Sequence, residues 1–166
     1  MSSFFSFPNP VNDKAARVVA SVVLATVVLT LATGWYWLLV PLAYGFWARV
    51  LTGPRLSPLG WTAQNLIAPR LGEKRPVPGP PKRFAQGIGV AFSTAALVVW
   101  VAAGWSVARW VLVPLDAAAV LEAALGLCLG CRIFQGLMGL GVIPESVCPE
   151  CADLSRRHAA LSATTR

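Results

Sequence analysis

All four cysteines of the chain fall into two Cys-x-x-Cys pairs, Cys128-Leu129-Gly130-Cys131 and Cys148-Pro149-Glu150-Cys151, with sixteen residues between the pairs. Two residues between thiols let one short turn present both sulfurs to a single ion. A second such pair at this distance reads as a four-thiolate zinc site. The same pairing suits thiol–disulfide chemistry, because Cys-x-x-Cys lowers a thiol pKa and keeps a resolving thiol close. The plain alternative is cysteine as a small apolar filler. It suits Cys128, deep in an apolar run, but leaves the pairing unexplained. Gly136, Gly139, Gly141 and Pro144 in the intervening segment would let the pairs fold together. A four-thiolate zinc site is anionic and needs N–H donors or a cation beside it. Arg132, Arg156 and Arg157 are the nearest in sequence, against their reading as ordinary membrane-flank charges. If the pairs are two independent dithiols, the deeper first pair is expected to be the slower to alkylate.

Two acids, Asp116 and Glu122, interrupt the last apolar run. An ionisable group inside a membrane helix is costly, so a functional role is the default expectation. Six residues apart on a helix, they point about 120° from each other and do not form a paired-carboxylate site. Asp116 is expected either to sit near a helix N-terminus after Pro114 or to pair with Arg109, seven residues earlier. Glu122 has no partner in its own helix. It is expected to be protonated, bonded to a neighbouring helix or placed near the thiols, with a structural bond preferred over proton transfer. The single His158 lies in a polar tail and excludes bis-His haem ligation within one chain. No phosphate-binding loop, nucleophile elbow or His-Glu-x-x-His motif is present.

These residues belong to an unusually apolar chain. Its 166 residues are 56% hydrophobic and 13% charged, with mean hydropathy +0.63. A soluble domain carries about 25% charged residues. So little charge excludes a disordered chain and argues against a soluble enzyme. The apolar residues form four runs, at 15–33, 36–51, 84–103 and 107–133. Crossing a hydrocarbon core of about 30 Å takes about twenty residues. The expected fold is an all-α membrane protein with four transmembrane helices. It comprises a tail at 1–13, a four-helix domain at 14–135 with a loop at 53–83, and a second tail at 136–166 holding the second Cys pair. The first run is read as retained and not as a cleaved signal peptide, because further spans follow.

Local signals refine this plan. Gly34 turns the first run into the second, giving an antiparallel hairpin. Trp35, Tyr36 and Trp37 suit the membrane–water interface, and Pro41 is tolerated in the first turns of a helix. Ser57-Pro58 reads as N-cap and first helical residue. Leu59, Ala63, Leu66 and Ile67 then share one face, and Pro69 ends the segment. This predicts a short interfacial helix between the second and third spans, with an irregular loop as the alternative. The prolines at 76, 78, 80 and 81 predict an extended connector over 73–83. Gly87, Gly89, Ala91 and Ser93, and separately Gly126-x-x-x-Gly130, permit close helix approach. Pro114 predicts a kink, and the glycines over 136–141 an end or bend.

Net charge is +7. The basic residues lie between the apolar runs, not in a polar domain, which points to anionic lipid and not to nucleic acid. Lys14, Arg17, Arg49, Arg55, Arg70, Lys74, Arg75, Lys82, Arg83, Arg132, Arg156, Arg157 and Arg166 fall on one side, and Arg109 alone on the other. Both termini and the central loop are therefore expected in the cytoplasm. So are the thiols, in a reducing compartment where structural disulfides are uncommon.

Arg17, Gly53-Pro54-Arg55-x-Ser57-Pro58, Pro69-Arg70-Leu71-Gly72, Arg83-Phe84-Ala85-Gln86-Gly87 and Gly126-Leu127-Cys128-Leu129-Gly130-Cys131 together resemble the small bacterial membrane proteins of domain of unknown function 4395. The resemblance spans about 10–135. It implies four transmembrane helices, the bacterial inner membrane, and thioredoxin-like or sulfurtransferase neighbours; it implies no established activity. Glu122 stands where the family usually has Asn. The segment 136–166 continues where many members end, so the second Cys pair rests on spacing alone. The leading expectation is a non-enzymatic polytopic inner-membrane protein whose cytoplasmic-side thiols bind zinc or dock a cytosolic thiol protein. A membrane dithiol relay for electrons or sulfur comes second. A structural accessory subunit of a larger membrane complex, with the cysteines as a local staple, comes third.

Overall fold

A computed structural model describes residues 7–152; Arg156, Arg157, His158 and Arg166 lie outside the described residues. The first helix, α1, runs Asp13–Thr33. Asn12 caps it by accepting from the Lys14 N–H, and Gly34 ends it in the left-handed conformation. Its buried stripe, Ala15, Val19, Val23 and Val27, repeats every four residues. A 3-10 turn at Tyr36–Leu38 leads into α2, Leu39–Thr52. The expected hairpin opens here, since α1 and α2 barely touch. Instead α1 packs along α5 (Trp105–Leu125), and α2 packs along α4 (Gly79–Ala103), which also lies on α5. Val27, Leu39, Ala96 and Leu112 are fully buried where these layers meet. Gly89 brings α4 close to α2, because a Cβ there would collide with the Phe46 ring.

Membrane dimensions separate these helices. Asp13–Thr33 and Gly79–Ala103 are each long and apolar enough to cross, and the bent pair Trp105–Leu125 with Leu129–Gly139 would make a third. At 14 residues, α2 is shorter. The fold is thus all-helical in its main elements, with two to three candidate spans where the sequence predicts four.

The last apolar run also breaks earlier than expected. Gly126, with φ +67°, ends α5, and Leu129–Gly139 leaves as α6 at 99°. This bend at Gly126 is additional to the expected end over 136–141, which falls at Gly139; it lies here because this glycine takes a left-handed conformation that the leucines around it would adopt only with strain. Consequently Gly126-x-x-x-Gly130 is not one helix face.

The central loop is mostly helical. The Ser57 hydroxyl accepts from the Gly60 N–H at 3.1 Å and starts α3, Pro58–Thr62. A widened π turn, Ala63–Ile67, and a 3-10 turn, Ala68–Leu71, continue it. The predicted apolar face does not survive the π turn: Ala63 and Ala68 are buried, whereas Leu66 and Ile67 are exposed. Pro69 lies within the helical segment and does not end it. The extended connector shrinks to Pro76–Val77 (β2), which pairs antiparallel with Val11–Asn12 (β1). Pro80 and Pro81 instead occupy the first turn of α4, where their missing N–H groups would be unbonded anyway.

Candidate functional site

Cys128 closes the corner between α5 and α6. Its sulfur caps α6 by accepting from the Cys131 N–H at 3.4 Å. A helix N-terminus with an N–H aimed at sulfur favours the thiolate form. Gly130, in the first turn of α6, lets this helix lie directly on α4, where a Cβ would meet Ala85 backbone at 2.6 Å. The chain then returns from α6 and seats Cys148 and Cys151 against Phe134, with Phe84, Met138 and Ile143 around them.

The two pairs are each closed on themselves as disulfides, with Cα–Cα separations of 5.2 Å and 5.3 Å. This differs from the four-thiolate expectation. Among the described residues, no three or more His, Cys, Asp or Glu side chains gather where a metal ion would be held. A two-residue spacer suits a local ring as well as it suits one ion, and here the local ring forms. The expected order of access reverses as well. Cys148 and Cys151 are 2% and 1% exposed, and Cys128 8%, while Cys131 is partly exposed.

Cys128, Cys131 and Cys151 border one cleft of about 380 Å³. Arg132 and Gln135 of α6, Lys82 of α4 and Asp13 of α1 complete its polar wall. Arg132 is exposed at the rim. Lys82 is the residue that sequence reasoning missed. Its ammonium is nearly buried and donates to Glu122 Oε1 at 2.6 Å and to Asp13 Oδ1 at 3.2 Å. Glu122 thus has its partner on a neighbouring helix, close to the thiol corner.

A second polar cluster lies nearby. Arg49, 6% exposed, donates from Nε to the Gln86 amide oxygen at 2.7 Å and from Nη1 to the Ser57 hydroxyl at 3.4 Å, with its guanidinium over the Phe46 ring. Arg83 donates to the Val50 carbonyl at 3.1 Å. The Arg17 guanidinium packs against Gly126, whose missing side chain makes room for it. Segments separated along the chain, around 17, 49–57, 82–86 and 122–131, thus meet at one end of the bundle. Asp116 stays apart. Its Oδ1 is buried without a hydrogen-bond partner among the described residues, and Arg109 lies over the Trp110 ring instead of pairing with it.

A family model described as Domain of unknown function (DUF4395) matches residues 11–138. The match spans most of the chain, including all of α1 to α5 and the first Cys pair, so the protein belongs to this family. No curated protein and no solved structure matches it.

Proposed function

We propose that this family member is a four-span protein of the bacterial cytoplasmic membrane that relays electrons between thiols at its cytoplasmic face. The observation that carries the reading is that cysteines of both Cys-x-x-Cys pairs, Cys128, Cys131 and Cys151, border a single cleft. Four spans follow if α2 counts together with its 3-10 turn. The two would reach about 27 Å, close to a hydrocarbon core of about 30 Å. Exposed Trp35, Trp37 and Trp110 would mark the outer interface. The ten described basic residues other than Arg109 would then mark the cytoplasm.

The chemistry starts at Cys131, the most accessible sulfur. A thiolate of a soluble dithiol protein attacks Cys131 Sγ. A mixed disulfide forms, the Cys128–Cys131 bond breaks, and Cys128 leaves as the thiolate that the α6 N-terminus stabilises. The partner's second thiolate resolves the mixed disulfide. The partner departs oxidised, and Cys128 and Cys131 hold the two electrons as thiols. Cys131 then attacks Cys151 across the cleft and displaces Cys148; Cys128 resolves that bond. The first pair is again a disulfide, and Cys148 and Cys151 are reduced. Such cycling is compatible with a reducing compartment, where a standing structural disulfide is not.

A double variant, Cys128→Ser with Cys148→Ser, leaves one thiol of each pair. Mild oxidation should join Cys131 to Cys151 within one chain, read by peptide mass spectrometry. Failure to cross-link, in a folded variant, overturns the relay. One zinc per chain in the reduced wild type, lost equally in Cys128→Ser and Cys148→Ser, would replace it with a metal site.

A further inference from the structure

The segment that carries the first pair has a second face. Cys128 and Cys131 border the polar cleft, whereas Leu129 and Gly130 between them line a separate apolar cavity of about 260 Å³. This cavity reaches into the bundle beside Val19, Phe92 and Leu115 and is not sealed. From Ala16 to Val23 along α1 it covers about 10 Å of helix. Its polar lining is confined to the thiol end, where Gln86 and Glu122 stand. The Lys82–Glu122 ion pair links the two spaces, since Lys82 borders the cleft and Glu122 the cavity.

We propose that this cavity holds the ring of a lipid-soluble quinone, and that the quinone, in place of the Cys148–Cys151 disulfide, can take the two electrons held by Cys128 and Cys131. The inference deepens the relay reading and rests on the first pair being redox-active. An apolar slot inside a membrane bundle, polar at one end, fits a flat ring with a carbonyl better than it fits an acyl chain. Gln86 has its amide oxygen occupied by Arg49; its N–H groups remain to bond a ring carbonyl. A dithiol at the membrane edge needs an acceptor of two electrons and two protons. A lipid quinone supplies that capacity from the membrane phase itself. In the step, two S–H bonds break and the Cys128–Cys131 bond forms. Both electrons pass to the ring and both of its oxygens gain hydrogen, giving the hydroquinone. The two protons that leave sulfur are the two that the ring oxygens gain.

The test uses full-length protein in lipid vesicles, reduced with a small dithiol, freed of excess and mixed with a short-tailed benzoquinone. One quinone should be reduced per first pair oxidised, with saturation. Ala118→Phe, which fills the cavity away from the sulfurs, should slow this at least tenfold and leave exchange with the small dithiol unchanged. A photoactivatable quinone should label cavity-lining segments of α4 and α5 in the wild type, which requires no variant. An unchanged rate in Ala118→Phe, or labelling confined to other segments, overturns the proposal. Exchange with the dithiol but none with quinone overturns it while the relay stands. Loss of both in folded wild type removes the relay reading as well.

Discussion

At the scale of single residues, Lys82 determines more than its position suggests. It neutralises two carboxylates from different helices while itself nearly excluded from solvent. Removing one member of a buried ion pair costs about 3–5 kcal/mol, because its partner stays charged. Lys82→Met should therefore lower stability in detergent by that order, and adding Glu122→Leu should restore part of it. Glu122→Gln should be the mildest of these changes, since Lys82 keeps Asp13 and an amide oxygen; a loss as large as that of Lys82→Met would show that Asp13 contributes little. Gly126 gives a second prediction. Gly126→Ala forces a Cβ into the left-handed region and against the Arg17 guanidinium, so a loss of at least about 1–2 kcal/mol is expected in thermal unfolding. The pairing of the cysteines was legible from spacing alone, but as one four-thiolate site and not as the two local disulfides that form. Lys82 was not, because a lysine beside an apolar run looks like a flank charge and its partner Glu122 lies forty residues away. Asp116 was overread in the opposite sense: its seven-residue spacing to Arg109 suggested a bond that the fold does not make.

At the scale of elements, two small residues each hold one junction: Gly130 the contact of α6 with α4, and Ser57 the start of α3. Gly130→Ala would push α6 away from Ala85 of α4, and overpacking of this kind costs about 1–3 kcal/mol. Alkylation of Cys131 in the reduced protein should accelerate as the cleft loosens; an unchanged rate would show that the corner does not depend on this contact. Ser57→Ala removes both the α3 cap and an acceptor of Arg49. A loss of about 0.5–2 kcal/mol is expected from the cap alone, read as earlier unfolding on heating. Three of the four apolar runs each became one main helix, and the fourth became two, because hydropathy and length report helices directly. The 99° corner did not show, since an apolar run looks the same whether it continues or turns. The turn depends on one glycine's dihedral angle and on a sulfur that happens to cap the next helix. The π turn hid the true face of the 58–71 segment for a similar reason, since one extra residue per turn rotates everything after it.

At the scale of the whole molecule, orientation is the property to test first. In a background lacking the native cysteines, Lys74→Cys should react with a membrane-impermeant reagent only after the cells are opened, and Ser106→Cys in intact spheroplasts. The reverse pattern would place the thiols outside and turn both pairs into ordinary structural disulfides. The three-way contact of Asp13, Lys82 and Glu122 bears on a different matter, the order in which the molecule is made. Chains leave the ribosome N-terminus first. Asp13 is therefore made before α4 brings Lys82, and both are made before the end of α5 brings Glu122. A chain cut short before that point keeps every earlier apolar segment but lacks the final knot. The last turn of α5 thus completes this contact, and a chain that ends before Glu122 leaves Lys82 with Asp13 alone.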